Sequence, residues 1–287
     1  MKIEGEQVTR RAFLRRALLA GLGLGLGGVA CGSYATWLEP YWFDVEEITV
    51  PLPRLPAALD GLTVVHLSDL HLGPYLGAAG LAHAVEMVQR LAPQLVVISG
   101  DFVTRGSEWQ REELLAPLAA LRPALGTFAV LGNHDHWTDA TWVTAAVQQQ
   151  GISVLSNESR RLSDAENGLW LVGVDDIWVG AEDLDAALSG IPRGGCKLLL
   201  VHEPDFADKA ARRSIDLQLS GHSHGGQVRL PFVGALLLPL WGRNYPIGLA
   251  RAADTWVYTN RGLGVTAPPV RFNCRPEITL LTLRKAA

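Results

Sequence analysis

The sequence has few cysteines and little net charge, and each shortage excludes a class of protein. Its 287 residues include three cysteines, Cys31, Cys196 and Cys274, and none of them stands in a CxxC pair. A zinc ribbon and a disulfide scaffold are therefore excluded, and nothing in the sequence indicates that Cys196 pairs with Cys274. The net charge is −4 and the pI is about 6.1. We expect no nucleic-acid partner, because no basic field attracts one.

Charged residues are absent from residues 17–38, and this run follows Arg10, Arg11, Arg15 and Arg16. The arginine pair followed by Phe-Leu and a Gly- and Leu-rich stretch resembles a twin-arginine export signal. At ~1.5 Å per residue the run is long enough to cross a ~30 Å hydrocarbon core, with its basic flank in the cytoplasm. We therefore divide the chain into a signal or membrane anchor at 1–40 and a catalytic domain at 41–287.

The sequence does not decide whether this leader is cleaved or kept as an anchor. Gly28-Val29-Ala30-Cys31 loosely resembles a lipoprotein box, cleavage after Ala30 is an alternative, and an uncleaved anchor fits equally well. Each of the three places the catalytic domain outside the cytoplasm.

Apolar strands and helical segments alternate over the rest of the chain. The predicted strands are 41–53 (an edge strand), 62–67, 95–99, 127–131, 152–155, 197–201, 215–219, 256–260 and 278–283, with a hairpin over 162–174 that turns at 166–168. The predicted helices are 81–91, 108–121, 138–150 (with Thr138 or Asp139 as N-cap), 182–188 and 205–212. Alternation of this kind is typical of an α/β layered fold, and no repeat or low-complexity linker follows residue 40.

Oxygen and imidazole side chains stand where five of these apolar strands end. They are Asp69, His71, Asp101, Asn133, His134, His202, His222 and His224. Side chains after such strands turn toward a shared site. A set without thiolates suits catalytic manganese, iron or zinc better than structural zinc. Eight donors exceed the needs of one ion and suit two ions about 3.5 Å apart that a carboxylate bridges.

The segments that carry these residues are DLHLG at 69–73, GDFV at 100–103, GNHD at 132–135, VHEPD at 201–205 and GHSHGGQ at 221–227. In order and spacing they resemble the calcineurin-like metallophosphoesterase superfamily. With the export-like leader they look most like its bacterial membrane-associated branch, which includes exported phosphodiesterases and a UDP-2,3-diacylglucosamine hydrolase of lipid A synthesis. The resemblance implies a four-layer α-β-β-α sandwich of two packed mixed sheets flanked by helices.

The resemblance also implies a role for each residue of the set. Asp69, His71 and His224 would hold one divalent ion, and Asn133, His202 and His222 would hold the second. Asp101 would bridge the two ions, for which we expect manganese, with zinc or iron as alternatives. His134 would contact the scissile phosphate and protonate the leaving oxygen. Gly100, Gly132 and Gly221 would let the backbone turn tightly before a ligand.

Several residues outside the set have less specific interpretations. His66 is interpreted as a hydrogen-bonded core residue, with support of a ligand as an alternative, and His83 as a surface residue. His136 is interpreted either as a solvated loop residue or as one that contacts substrate or supports the site. Arg229, Arg243 and Arg271 are candidates to pair with a substrate phosphate. The apolar stretch at 231–241 has the composition of a core segment, and this is the interpretation we favour. Alternatively it borders the site and accepts an acyl chain or rests on a bilayer.

The sequence as a whole predicts a metal-dependent hydrolase of phosphodiester or pyrophosphate bonds that uses metal-activated water. Its substrate would be a phosphorylated small molecule or lipid, first of all a lipid-linked or glycolipid compound such as a UDP-2,3-diacylglucosamine-like diphosphate. That compound is handled at the cytoplasmic face, whereas the leader predicts export. The alternatives are a broad-specificity envelope or nucleotide phosphodiesterase or phosphatase, and a metal-bound interaction scaffold without catalysis.

Overall fold

A computed structural model describes residues 9–106, 111–165 and 167–286 of the chain. The strands formed by these residues are β1 Asp44–Leu52, β2 Leu62–Leu67, β3 Leu95–Ser99, β4 Thr127–Val130, β5 Ser153–Val154, β6 Glu158–Arg161, β7 Leu169–Gly173, β8 Cys196–Leu200, β9 Leu217–Ser220, β10 Arg229–Leu230, β11 Gly234–Ala235, β12 Gly248–Ala252, β13 Thr255–Thr259 and β14 Glu277–Lys285. The α-helices are α1 Arg10–Trp37, α2 Ala78–Leu91, α3 Glu112–Leu115, α4 Asn133–Gln149, α5 Leu184–Ala187 and α6 Ala207–Ala210.

Two six-stranded mixed sheets form the centre of the fold. The first has the order β1-β14-β2-β3-β4-β5, in which β2 to β5 run parallel and β14 is antiparallel to β2. The second has the order β12-β13-β9-β8-β7-β6, in which β13, β9, β8 and β7 run parallel. The predicted edge strand is confirmed, since β1 lies at the margin of the first sheet.

Alternation of apolar side chains along the strands explains why the sheets stack with helices outside them. In β2, Val64 packs in the core between the two sheets, and Val65 packs in a core on the opposite face with α2 and α4. In β8, Leu198 belongs to the core between the sheets, whereas Leu199 packs toward α5. Strands with both faces buried need apolar residues at every position. The predicted four-layer α-β-β-α sandwich is thus confirmed.

Most predicted elements are present, with shifted ends. The hairpin that was predicted at 162–174 is formed by β6 and β7, so its first strand begins four residues earlier, at Glu158. The helix predicted at 108–121 is a short α-helix at Glu112–Leu115 and a 3-10 turn at Ala116–Ala120, and its residues 108–110 lie outside the described residues. Helix α4 starts at Asn133, five residues before the predicted start at residue 138. Asp139 is non-helical and accepts a hydrogen bond from the amide of Trp142, so it acts as the predicted N-cap for the residues that follow.

The N-terminal helix stands apart from the core over most of its length and joins the domain at its end. Residues Phe13–Tyr41 have the length and apolar composition of a membrane span, and an 18-residue apolar window within them has no buried residue. The backbone amide of Arg271 donates to the carbonyl of Ala35. Glu39, which is fully buried, accepts hydrogen bonds from the amides of Asn273 and Cys274. No flexible linker therefore separates this helix from the domain.

Candidate metal centre and active site

The predicted site residues lie at one edge of the sandwich, where parallel strands of both sheets end. Asp69 and His71 follow β2, Asp101 follows β3, Asn133 and His134 follow β4, His202 follows β8, and His222 and His224 follow β9. Backbone hydrogen bonds tie these loops together, from the amide of Asp69 to Gly100, of His71 to Asp101, and of Gly221 to His202. Carboxyl ends of parallel strands meet at one edge, and the eight side chains converge there.

One group of donors lies around His71 and His224. Their Nε2 atoms are 3.0 Å apart, and Asp69 Oδ1 lies 3.3 Å from His224 Nε2. The donor atoms of these three buried residues all lie within 4.8 Å of one another, a spacing that admits one shared cation. They are the three residues predicted to hold the first ion.

A second group of donors lies next to the first and shares Asp101 with it. Asp101 Oδ2 is 3.2 Å from His202 Nε2 and 3.5 Å from His71 Nε2. The ring of His222 lies 5.0 Å from that of His202. Asp101 therefore stands between the two groups, where a bridging ligand is expected. The assignment of each ion to its ligands stays a prediction.

The chemistry of these donors fits divalent ions. Asn133 Oδ1 and His202 Nε2 are buried and make no hydrogen bond. A buried polar atom without a partner costs about 1–3 kcal/mol, and a bound cation would satisfy such an atom. His202 donates from Nδ1 to the carbonyl of Ser99 at 2.7 Å, and His222 donates from Nε2 to that of Leu240 at 2.8 Å. Each bond fixes the tautomer, so the other ring nitrogen keeps a lone pair for a metal.

Electrostatics at the site favour the neutral form of some imidazoles and the charged form of another. Burial lowers the pKa of His71 and of His222 to about 3, so both rings are neutral at pH 7, as a metal ligand must be. Burial raises the pKa of Asp69 to about 6. Burial opposes a charge on His202, yet Asp101 and Asp69 together hold its pKa well above the ordinary value. Positive charge is thus attracted most strongly to the point between His202 and Asp101.

Five site residues adopt a backbone conformation that is uncommon for residues other than glycine. The φ angles are +49° at Asp69, +42° at His71, +55° at Asp101, +66° at His222 and +50° at His224. Left-handed backbone at such residues costs of order 1 kcal/mol each and persists where surrounding structure enforces it. Asp and His tolerate this region better than most residues. This shared distortion aims five side chains inward from separate loops.

The three glycines before the ligands act in two ways. Gly100 has φ +88° and confirms the expected tight turn. Gly132 and Gly221 do not have positive φ, so the prediction of a tight turn is wrong for them. A Cβ at Gly132 would lie 2.4 Å from Asp101 Oδ1, and one at Gly221 would lie 2.1 Å from Asp69 Oδ2. These two positions need glycine because the carboxylates occupy the space of a side chain.

His134 lies beside the donor groups with one nitrogen fixed. Its Nδ1 accepts a hydrogen bond from the amide of Arg105 at 3.2 Å, and its own amide donates to Asp101 Oδ1 at 2.8 Å. Because Nδ1 is an acceptor, the proton of the neutral ring sits on Nε2. The ring packs 5.0 Å from that of Trp137.

Asp135 is a residue of the site that the sequence did not assign. It is fully buried; Oδ1 accepts from the amides of Phe102 and Val103, and Oδ2 accepts from the amide of Gly132. Burial, with Asp101 nearby, raises the pKa of Asp135 to about 8. It holds together the loops after β3 and β4. The signal in the sequence is a carboxylate three residues after the N-cap position Gly132, which is the spacing of a capping box.

His66 and His83 behave as predicted, whereas the role of His136 stays a prediction. His66 is buried, and its Nε2 bonds the hydroxyl of Ser99, whose carbonyl holds His202. His83 is exposed and stacks on Phe43. His136 bonds Asp175 at 2.7 Å.

The three arginines expected to bind phosphate do not line the site. Arg271 is fully buried and donates to the carbonyls of Arg261, Gly262, Gly264 and Cys274, so the prediction that it contacts substrate is wrong. Arg229 donates to the carbonyl of Gly225. Arg243 lines a separate cavity of about 490 Å³. The carbonyl groups that accept from Arg271 explain how this charged side chain can be fully buried.

A cleft of about 700 Å³ opens over the donor groups, which form its polar end, and its other lining residues are mostly apolar, apart from Ser223, Gln227 and Thr266. Asp101, His134 and His222 lie at the polar end. Two tryptophans, Trp137 and Trp178, pack edge to face at 5.6 Å beside them. Farther along, the wall is formed by residues 236–239 and by residues 266–268 and 270. The stretch 231–241 therefore borders the site, and the favoured interpretation of it as core is wrong; Phe232, Val233 and Leu237 are exposed.

Comparisons with known proteins agree with this geometry. The family model for calcineurin-like phosphoesterases matches residues 62–226. An uncharacterized metallophosphoesterase of Bacillus subtilis, YkuE, is 35% identical over 97% of this chain and 99% of its own length. The phosphodiesterase YaeI of Escherichia coli is 30% identical over 96% of this chain and 99% of its own length.

A vertebrate relative carries a similar domain within a longer membrane protein. The zebrafish transmembrane protein with metallophosphoesterase domain is 35% identical over 84% of this chain, and the match covers 57% of that protein. The matched family model spans more than half of the chain and contains every residue of the donor set. The chain is a metal-dependent phosphoester hydrolase and belongs to the calcineurin-like phosphoesterase family.

Proposed function

We propose that this protein hydrolyses a phosphodiester or pyrophosphate bond in a lipid-linked or glycolipid substrate at a membrane surface. The observation that carries the proposal is the cleft, in which a phosphate-binding end and a long apolar wall are continuous. A substrate with a phosphoryl group next to an acyl chain matches both ends. A small soluble diester uses only the polar end.

The residues of the site divide the chemistry between them. Asp69, His71 and His224 would hold one divalent ion, Asn133, His202 and His222 the other, and Asp101 would contact both. When bound, a pair of such ions supplies activation of the attacking water and neutralises charge at the phosphoryl group. Manganese remains the ion we expect, with zinc and iron as alternatives.

His134 would act on the leaving group. With Nδ1 held by the Arg105 amide, Nε2 carries the proton that a departing alkoxide or phosphate oxygen needs. The aromatic pair of Trp137 and Trp178 forms an apolar wall of the cleft beside His134.

The location we propose is outside the cytoplasmic membrane, by the twin-arginine route, with α1 kept as an anchor. The arginine-rich start and the 28-residue apolar helix support this. A UDP-2,3-diacylglucosamine-like diphosphate remains a candidate substrate, and it would require the catalytic domain on the cytoplasmic face. The side of the membrane on which the catalytic domain lies therefore distinguishes an envelope substrate from a UDP-2,3-diacylglucosamine-like one.

The test is metal content and activity of the full chain in detergent. Ions per chain are counted, and turnover is compared for a chromogenic diester, a monoester, a nucleotide and a UDP-linked glycolipid, each with the unchanged protein, Asp101→Asn and His134→Ala. We expect about two ions per chain and highest kcat/KM on the amphiphilic substrate. Equal kcat/KM on soluble and lipid-linked diesters would support the broad-specificity alternative. Turnover that Asp101→Asn leaves unchanged would contradict catalysis at this site.

A further inference from the structure

The loop formed by residues 230–241, named here the apolar loop, exposes large hydrophobic side chains. Phe232 is fully exposed, and Val233 and Leu237 are 69% and 82% exposed. Strands β10 and β11 form the stem of a small hairpin within it. An exposed apolar patch of this kind on a soluble surface marks a contact with a partner or a membrane.

The backbone at the tip of the apolar loop is strained, so folding of the chain alone does not explain why Phe232 is exposed there. The amide of Val233 donates to the carbonyl of Leu230, which closes a four-residue turn around Pro231 and Phe232. Phe232 has φ +66°, at the turn position that ordinarily takes Gly or Asn. A bulky residue there is strained. The side chain gains no contact within the fold in return, since it is fully exposed.

The stem of the apolar loop is joined to the end of the N-terminal helix. The amide of Arg229 donates to the carbonyl of Phe272, and the ring of Phe272 packs edge to face on Tyr34 at 6.5 Å. The next residue toward the N-terminus, Arg271, holds Ala35. Two steps of direct contact therefore connect the apolar loop to the end of α1.

The end of α1 has the features of a membrane boundary. The uncharged run 17–38 is about 33 Å long as a helix, close to the thickness of a hydrocarbon core. Trp37, Tyr41 and Trp42 are exposed where the helix ends, and exposed Trp and Tyr are typical of the membrane–water interface. The apolar loop is fixed to this end, so a bilayer crossed by α1 lies beside it.

We propose that the tip of the apolar loop inserts into the bilayer interface beside α1, and that the cleft opens toward the lipid. The bilayer is the occupant we infer, because α1 already brings it to this face and Glu39 allows no linker between them. Residues 236–238 continue from the tip into the wall of the cleft. The entry of substrate from the membrane rests on the proposed function, whereas the insertion of the loop does not.

The insertion is tested by depth measurement on the full chain in nanodiscs of phosphatidylethanolamine and phosphatidylglycerol. A Cys31→Ser chain carries Phe232→Cys labelled with an environment-sensitive fluorophore. The matched control is Arg193→Cys, which is exposed and precedes β8, and therefore lies at the sheet edge opposite the site. We expect the label at 232 to be quenched by doxyl lipid and protected from iodide, and the label at 193 to show the reverse.

Two outcomes would overturn the insertion. A label at 232 that iodide quenches as strongly as the label at 193 means that the tip lies in water. Protection from iodide without quenching by doxyl lipid means that a protein, such as a second copy of the chain, covers it. Neither measurement requires turnover, so both are independent of the proposed function.

Activity supplies a second measurement. Phe232→Asn suits the turn and removes the exposed ring, and Phe232 does not line the cleft. We expect unchanged turnover of a soluble chromogenic diester and about a tenfold lower kcat/KM for a diester embedded in vesicles, the worth of one phenyl ring transferred from water. An equal effect on both substrates would contradict insertion. If the label at 232 lies in the bilayer but Phe232→Asn lowers neither activity, the loop inserts as proposed, and the proposal of a lipid-linked substrate is contradicted.

Discussion

The metal centre and the apolar loop depart from the usual rules of folding in opposite directions. The centre buries carboxylates, imidazoles and an amide, some without a hydrogen bond, whereas the loop exposes Phe232, Trp241 and five large aliphatic side chains. Both regions contain residues other than glycine in left-handed backbone, at Asp69 and His71 in the centre and at Phe232 and Trp241 in the loop. Each region lowers the folding stability of the isolated chain.

The difference lies in how each region is held. Around the centre, neighbouring loops bond one another, and glycines leave room for carboxylates. The tip of the apolar loop has a two-residue hairpin stem and one turn hydrogen bond. A distortion that surrounding structure enforces persists without a ligand, whereas the loop needs an external surface. We therefore expect changes at the centre to act on chemistry or stability, and changes at the loop to act on contact with lipid.

The largest expected effect is on chemistry, at His134. His134→Ala should lower kcat by about 10²–10⁴-fold for a diester with an alkyl alcohol as leaving group, because the departing oxygen needs a proton. A nitrophenyl leaving group departs without one and should lose far less. The measurement is kcat on a matched pair of diesters, with bound metal counted in both proteins. Equal losses on the two diesters would show that His134 does not act as the acid.

Gly221 tests how tightly the centre is packed. A Cβ there would lie 1.7 Å from Ser68 Oγ and 2.1 Å from Asp69 Oδ2. Gly221→Ala should lower the free energy of unfolding by about 3 kcal/mol and reduce bound metal, because Asp69 must move. Gly77→Ala is the control, since nothing lies within 4 Å of a Cβ at that position. Similar Tm values for the two variants would contradict close packing around Asp69.

Glu39 joins the end of α1 to the metal centre. It accepts the amides of Asn273 and Cys274, and the thiol of Cys274 donates to the carbonyl of His224 at the centre. Glu39→Ala leaves two buried amides unpaired and should cost about 2–3 kcal/mol of unfolding free energy. Glu47→Ala, at an exposed position on β1, is the control. If both lose equally little in a thermal melt, the helix end is not fixed to the domain as described.

The regions also differ in how far the sequence predicts them. The predicted bounds of strands 62–67 and 95–99 match the structure to the residue, because these largely apolar runs are flanked by Gly, Pro or Asp. Parallel strand ends then locate the centre. The apolar stretch 231–241 was assigned to the core, because composition alone does not distinguish a core from a surface that contacts lipid. The hairpin was shifted because β6 is a polar edge strand, ESRR. Arg271 was misassigned because its carbonyl partners come from a fold that no local pattern shows.

The smallest expected effect is a pH dependence of stability at His136, at the margin of the centre. Its hydrogen bond to Asp175 raises the pKa of His136, although burial opposes the shift. A raised pKa in the folded state stabilises the protein fully below the unfolded value of about 6.5, and this stabilisation is lost as pH rises through the folded value. His136→Asn should therefore flatten the decline in unfolding free energy as pH rises above about 6.5. His83→Asn, at an exposed histidine that stacks on Phe43, is the matched control. Thermal melts over this range decide between the interpretations of His136: a flattened slope assigns it to the fold, whereas an unchanged slope with altered KM assigns it to the substrate.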